Sequence, residues 1–222
     1  MGNLYLVRHG QASFGADNYD QLSALGQRQS VRLGEHFAQR GIAFDSVITG
    51  TLQRHQQTWQ GIAQGAGLNH APLARSGLNE YDSEALLKAI HPDPLPRPST
   101  PEEVRQHFRL LRDALVQWSQ GAFQPVGIPT YAQWVQGITD VLDHVRSQCH
   151  GNVLLVSSGG PIATAVGQVL GTSPQTSIEL NLRIRNSAVT EFAFTPKRHT
   201  LVAFNAIAHL ESPPYADWIT YA

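Results

Sequence analysis

Two stretches of this sequence have the same shape. "LYLVRHGQAS" (Leu4–Ser13) and "NVLLVSSGGP" (Asn152–Pro161) each run through apolar residues and stop abruptly on polar residues and glycine. A short continuous apolar run bounded in this way is the pattern of a strand buried on both faces, as in a parallel sheet covered by helices. The segments between fit that reading. After a polar loop, "FGADNYDQ", Ser23 can cap a helix from about Ala24 to Arg40, with Gln27, Val31, Gly34, Phe37 and Ala38 at helical spacing and Gly41 as its stop. "FDSVITG" reads as a second strand, Leu52–Ala66 as a second helix, and "PLARSGLNEY" as a strand entering a loop.

The alternation then breaks. "HPDPLPRPSTP" is rich in proline and predicts an extended linker or loop. Thr100 follows as a helix cap, with Pro101 at the first helical position and Glu103 closing a capping box, for a helix to about Gln120. After the loop "GAFQPVGIP", Thr130 starts a helix to about Gln148. Residues from about 83 to 130 are expected to form a helical insertion over the sheet. The sheet should resume at Val153–Ser157, followed by a helix over Pro161–Leu170. Three partly antiparallel end strands are expected, from the alternation of Leu180, Leu182 and Ile184, then of Val189, Phe192 and Phe194, then from "TLVAFNA". The expected fold is a three-layer α/β/α sandwich, a mostly parallel sheet in a single domain over residues 1–222.

Composition narrows the function. A chain of 222 residues with 41% hydrophobic and 15% charged residues suits one globular α/β domain. The net charge of −1 supplies no global field for nucleic acid, so attraction for an anion must be local. No apolar stretch is long enough to span a bilayer. "MGNLYLV" lacks the basic start of a signal peptide, and Leu6 stands where a myristoylation signal needs Ser or Thr. The single cysteine, Cys149, cannot form an internal disulfide and reads as a space-filling residue at a helix end. A soluble cytoplasmic protein is the expectation. The ten histidines are scattered, with no recognised ligand spacing, so no metal and no cofactor is expected.

In an open α/β sheet, ligands sit at the carboxyl ends of the strands. Arg8 and His9 lie at one such end, Thr49–Arg54 at another, and Ser157–Gly160 at a third. Two arginines near helix N-termini make an anion site, because guanidinium forks and free backbone N–H groups both donate to oxyanions. A tetrahedral phosphoryl group is the natural guest.

The chain resembles the histidine phosphatase superfamily, also called phosphoglycerate mutase-like. The resemblance rests on "LVRHGQ", "LSALGQRQSVRLG", "VITGTLQRHQQT", "LNEYD" and "NVLLVSSGGPI", in the family's order and spanning most of the chain. It implies a phosphomonoester hydrolase acting on a small phosphate ester. His9 would be the nucleophile that becomes phosphohistidine, and Gly10 would leave its carbonyl free to orient the ring. Arg8 and Arg54 would clamp the phosphoryl oxygens. Glu80 would protonate the leaving alcohol and later deprotonate water, with Asp82 as a weaker substitute. Gln11 and Ser13 are further candidate phosphate contacts, as are Ser158 and Gly159 in the "SSGG" turn.

The sequence departs from the family at one point. A second histidine usually follows the late strand, and the equivalent position here is Ser158. Losing one strong donor to a transition-state oxyanion costs about 10²–10³ in rate. That leaves a weaker phosphatase, a phosphate- or phosphoprotein-binding member without turnover, or a substituted residue as readings of Ser158. His55 follows Arg54 about 100° around a helix, which makes it a bystander. The place of His209 is not readable from sequence. Two rivals stand beside the phosphatase. A mutase would need a second basic cluster, but Lys88, Arg97, Arg105, Arg109 and Arg112 are spread out. A serine hydrolase at Ser158 conflicts with Val156, where the nucleophile-elbow pattern needs glycine.

Overall fold

The apolar run after Gly2 forms the centre of the sheet. The computed structural model describes residues 1–13, 20–91, 93, 95 and 100–221. Strand β1 (Gly2–Arg8) lies between β4 (Gly151–Ser157), parallel to it, and β5 (Val189–Thr195), antiparallel to it. Adding β2 (Ser46–Thr49), β3 (Leu73–Ala74) and β6 (Arg198–Ala206) gives a six-stranded mixed sheet in the order β3-β2-β4-β1-β5-β6. The β3, β2, β4 and β1 pairings are parallel, and β5 and β6 close one edge antiparallel.

Alternation along β1 builds two cores. Tyr5 and Val7 face Leu33, Phe37, Trp59 and Ile62 of helices α1 (Ala24–Gln39) and α2 (Gln53–Ala66). Leu4 and Leu6 face the opposite side, among Ile138, Val141, Leu142 and Val145 of helix α5 and Ile162 and Val166 of helix α6. Helix α5 covers Tyr131–Gln148 and α6 covers Gly159–Leu170. The result is the expected three-layer α/β/α arrangement. Truncating a side chain such as Leu6, buried in this core, would cost about 2–5 kcal/mol.

Helices α3 (Ser83–Ile90) and α4 (Pro101–Ser119) form a third cluster with Ile178, centred on the buried Trp118. The Thr100–Glu103 capping box of α4 is present as the sequence predicts. Much of the loop "FGADNYDQ" and of the linker "HPDPLPRPSTP" lies outside the described residues.

Two expectations are corrected. Leu180, Leu182 and Ile184 do not form a strand. Residues Pro174–Asn181 form helix α7, started by Ser173, whose hydroxyl accepts the Thr176 N–H, and by Pro174 in the first turn. The cap and proline outweigh a three-residue alternation, and the antiparallel edge has two strands. Helix α6 begins at Gly159, two residues before Pro161, which sits within its first turn.

Candidate active site

Strand register decides what meets at the carboxyl end of the sheet. Arg8 pairs with Ser157 and Thr49 with Val156. The residues just beyond, His9, Gly50 and Ser158, therefore emerge side by side. The His9 N–H donates to Ser157 O (2.9 Å), and the Gly50 N–H to Val156 O (3.0 Å).

His9 is almost fully buried. Its Nδ1 lies 2.7 Å from the Gly10 carbonyl oxygen. A carbonyl can only accept, so Nδ1 carries the hydrogen, and Nε2 of the neutral ring keeps its lone pair. Burial holds the ring's pKa well below the usual imidazole value, and the positive charges of Arg8 and Arg54 and the His55 ring push the same way. The Gly10 N–H donates to Thr58 Oγ1 (3.0 Å), and that hydroxyl donates to Arg54 O (2.7 Å). Thr58 thus ties the turn after β1 to the first turn of α2.

Arg8 leaves the end of β1, and its Nη1 donates to the carbonyls of Ile184 and Tyr221, the latter at 2.6 Å. Arg54, in the first turn of α2, is buried and pairs with Asp20 (2.8 Å). Asp20 also accepts the Gln53 N–H (2.9 Å), which caps α2 in place of its N-cap residue Leu52.

Glu80 reaches the site from the other side. It is half-buried, and its Oε2 accepts the N–H of Gly160 (3.0 Å) in the first turn of α6. A Cβ on Gly160 would stand 2.1 Å from Glu80 Oε1, so glycine is what admits the carboxyl to the helix N-terminus. Protein packed around the carboxyl raises its pKa, and this outweighs the opposing pull of the Gly160 N–H, Arg54 and Arg8. A neutral imidazole with a free Nε2, two guanidinium groups and a carboxyl whose pKa is raised can carry out nucleophilic transfer of an anionic group.

Ser157 is a structural tie, with Oγ donating to Leu78 O (2.6 Å). Ser158 is fully buried, with Oγ 2.7 Å from His55 Nε2.

The family model for the histidine phosphatase superfamily (branch 1) matches residues 4–207. The chain belongs to this superfamily. It is 28% identical over 201 residues to a probable phosphoglycerate mutase GpmB from Cronobacter sakazakii, covering 86% of this chain and 84% of that one. It is 34% identical over 86 residues to a 2,3-bisphosphoglycerate-dependent phosphoglycerate mutase from Bartonella quintana, a match spanning 36% of this chain and 42% of that protein. Among solved structures, a phosphoserine phosphatase mutant from Entamoeba histolytica in complex with phosphoserine shares the fold, with a TM-score of 0.66 at 20% identity over 95% of this chain and 100% of that one.

The fold of this member of the superfamily brings Arg8, His9, Arg54, Glu80 and Ser158 to one end of the sheet. Gly159 opens α6 beside them. Gln11 is engaged elsewhere: its side-chain oxygen accepts from the Ser23 hydroxyl (2.8 Å) and its N–H donates to Gln29. Ser13 pairs through its N–H with Gln21 O (2.9 Å). Asp82 caps α3 through the Ala85 N–H (2.9 Å). His209 is buried against Ser187 (2.8 Å) and His36, alongside α1.

His55, expected from its helical angle to be a bystander, lies against Ser158 instead of pointing away from the strand ends. Its ring centroid lies 5.8 Å from that of His9. The first turn of α2 sends neighbouring residues to different partners, Arg54 to Asp20 (2.8 Å) and His55 to Ser158 (2.7 Å). Sequence reasoning also missed Asp20, Thr58 and Asn186, whose Nδ2 donates to His9 O (3.3 Å). Only Thr58 carried a signal, as the last residue of "LQRHQQT". Among the described residues no helix is long and apolar enough to cross a membrane.

Proposed function

We propose that this chain is a phosphomonoester hydrolase that works through a phosphohistidine at His9. The observation that carries the reading is the Nδ1 hydrogen bond of His9 to Gly10 O, which leaves Nε2 as the nucleophile. Nε2 attacks phosphorus, forming the P–N bond as the P–O bond to the leaving alcohol breaks. Arg8 and Arg54 offset the negative charge on the phosphoryl oxygens. Glu80, protonated, gives its proton to the departing alkoxide. The Glu80 carboxylate then takes a proton from water, water attacks phosphorus, and the P–N bond breaks to release inorganic phosphate and neutral His9.

The raised pKa of Glu80 and the lowered pKa of His9 support these opposite assignments, since one group must hold a proton while the other lacks it. The substrate is a small phosphate ester, the class bound by the phosphoserine phosphatase with the same fold. Ser158 stands where the family resemblance expects a second histidine. Helices α3 and α4, which pack together around Trp118, would shape the leaving-group side.

Release of phosphate from an aryl phosphate by the wild type and by His9→Ala tests the assignment. Hydrolysis that disappears in His9→Ala supports it. Equal nonzero rates in both proteins would overturn His9 as the nucleophile, and orthovanadate binding without any turnover would replace hydrolysis with a binding role.

A further inference from the structure

Ser158 stands at the N-cap of α6, where a serine hydroxyl ordinarily accepts an N–H from the first helical turn. It makes no such bond. The Gly160 N–H goes to Glu80, and the Ser158 hydroxyl oxygen lies 2.7 Å from His55 Nε2. Serine and histidine are both fully buried, and α2 delivers the imidazole from 103 residues away in sequence. Gly50 makes the room, since a Cβ there would stand 2.1 Å from His55 Nδ1. Among the described residues, that Nδ1 has no hydrogen-bond partner. Orphaned buried N–H groups are rarer than vacant acceptors, so the ring proton belongs on Nε2 and His55 donates to Ser158 Oγ. The hydrogen of the Ser158 hydroxyl is then left for another acceptor, and the His55 ring that holds this hydroxyl lies with its centroid 5.8 Å from that of His9.

We infer that Ser158 donates a hydrogen bond to a phosphoryl oxygen, and that His55 is a positioning residue that fixes the direction of that donation. The pair does from two elements what a single histidine at position 158 would do from one. This rests on the proposed function, because the acceptor is the phosphoryl group in transfer at His9. The same pair resembles a serine nucleophile with its base. Among the described residues its Nδ1 has no third group to orient it as such a base.

The test is a double-mutant cycle on aryl phosphate hydrolysis. Orthovanadate binding is measured by calorimetry and a thermal melt is recorded for every variant. Ser158→Ala and His55→Leu should each lower kcat by about 10²-fold with little change in KM. The double variant should be no worse than either single one, because both remove the same donor. His55→Gln, which keeps an N–H near the position of Nε2, should stay within about tenfold of wild type. Should His55→Leu fail to fold, His55→Ala/Ser158→His, which places an imidazole in the same cavity from the other side, should exceed Ser158→Ala by at least tenfold. Additive losses, no loss, a His55→Gln as defective as His55→Leu, no gain in the relocated variant, or fluorophosphonate labelling of Ser158 would each overturn the inference. A wild type that neither hydrolyses the ester nor binds orthovanadate would overturn the proposed function and the inference with it. An active wild type with an additive cycle would overturn the inference alone.

Discussion

Gly160→Ala separates folding from function in this site. The added Cβ would stand 2.1 Å from Glu80 Oε1, 2.8 Å from Tyr81 Cε1 and 3.1 Å from Glu80 Cδ. Contacts below about 3 Å force something to move, and the nearest atom is the end of a flexible side chain. The carboxyl therefore swings away and loses the Gly160 N–H (3.0 Å). The fold should tolerate this, because alanine within a helix is favoured over glycine by roughly 0.5–1 kcal/mol, which offsets the strain of moving Glu80. The melting temperature should stay within a few degrees of wild type, at about 2–4 °C per kcal/mol for a chain of this size. Catalysis should not tolerate it. General acid–base catalysis contributes about 10²–10⁴ in rate, and kcat/KM on an alkyl phosphate should fall by that order. An aryl phosphate with a strongly acidic leaving phenol needs little protonation, so its loss should be smaller by at least tenfold. Equal losses on the two esters would refute Glu80 as the proton donor. A large drop in melting temperature would refute the claim that the carboxyl, rather than the helix, gives way.

Three further outcomes follow from the same geometry. Thr58→Val removes the acceptor of the buried Gly10 N–H. An unsatisfied donor costs about 1–3 kcal/mol, so the melting temperature should drop by roughly 2–12 °C and kcat should fall as the His9 turn loosens. The transfer step needs neutral His9 and protonated Glu80. Because the His9 pKa is lowered and that of Glu80 is raised, kcat/KM should hold at mildly acidic pH, below the usual imidazole range, and fall as pH rises through the Glu80 pKa. In Glu80→Gln that alkaline fall should vanish, as measured by pH–rate profiles corrected for substrate ionisation. His209 has its pKa lowered from 6.5 to about 3, chiefly by burial. The unfolded chain therefore binds the proton first, and stability present above pH 6.5 is lost as pH falls towards 3. His209→Asn should flatten that acid slope by about 1.4 kcal/mol per pH unit, read from denaturant melts between pH 4 and 7.

Much of this site was legible as sequence because its parts are local. Arg8–His9–Gly10 is contiguous, and a buried strand ending there fixes it at the ligand-binding edge of the sheet. The capping box at Thr100 is a four-residue device and reads directly. What failed depends on distance or competition. The Leu180–Ile184 alternation is shorter than the cap and proline that override it. The approach of His55 to Ser158 depends on the placement of α2 against β4, which no spacing rule encodes. Helical angle says which way a residue points around an axis and nothing about which strand end lies across from it. Of the two glycines after Ser158, Gly160 is the one that admits the Glu80 carboxyl to the helix N-terminus, a contact that joins residues 80 apart and that no local pattern encodes.

The central claim is a covalent bond between His9 Nε2 and phosphorus. Rapid acid-free quenching of wild type and Glu80→Gln with an aryl phosphate, followed by intact and peptide mass analysis, tests it most directly. The account predicts one added phosphoryl group on the peptide carrying His9. It should be labile to acid and stable to base, accumulate in Glu80→Gln, and be absent from His9→Ala. Turnover with no such adduct, or a phosphoryl group on Ser158, would contradict it.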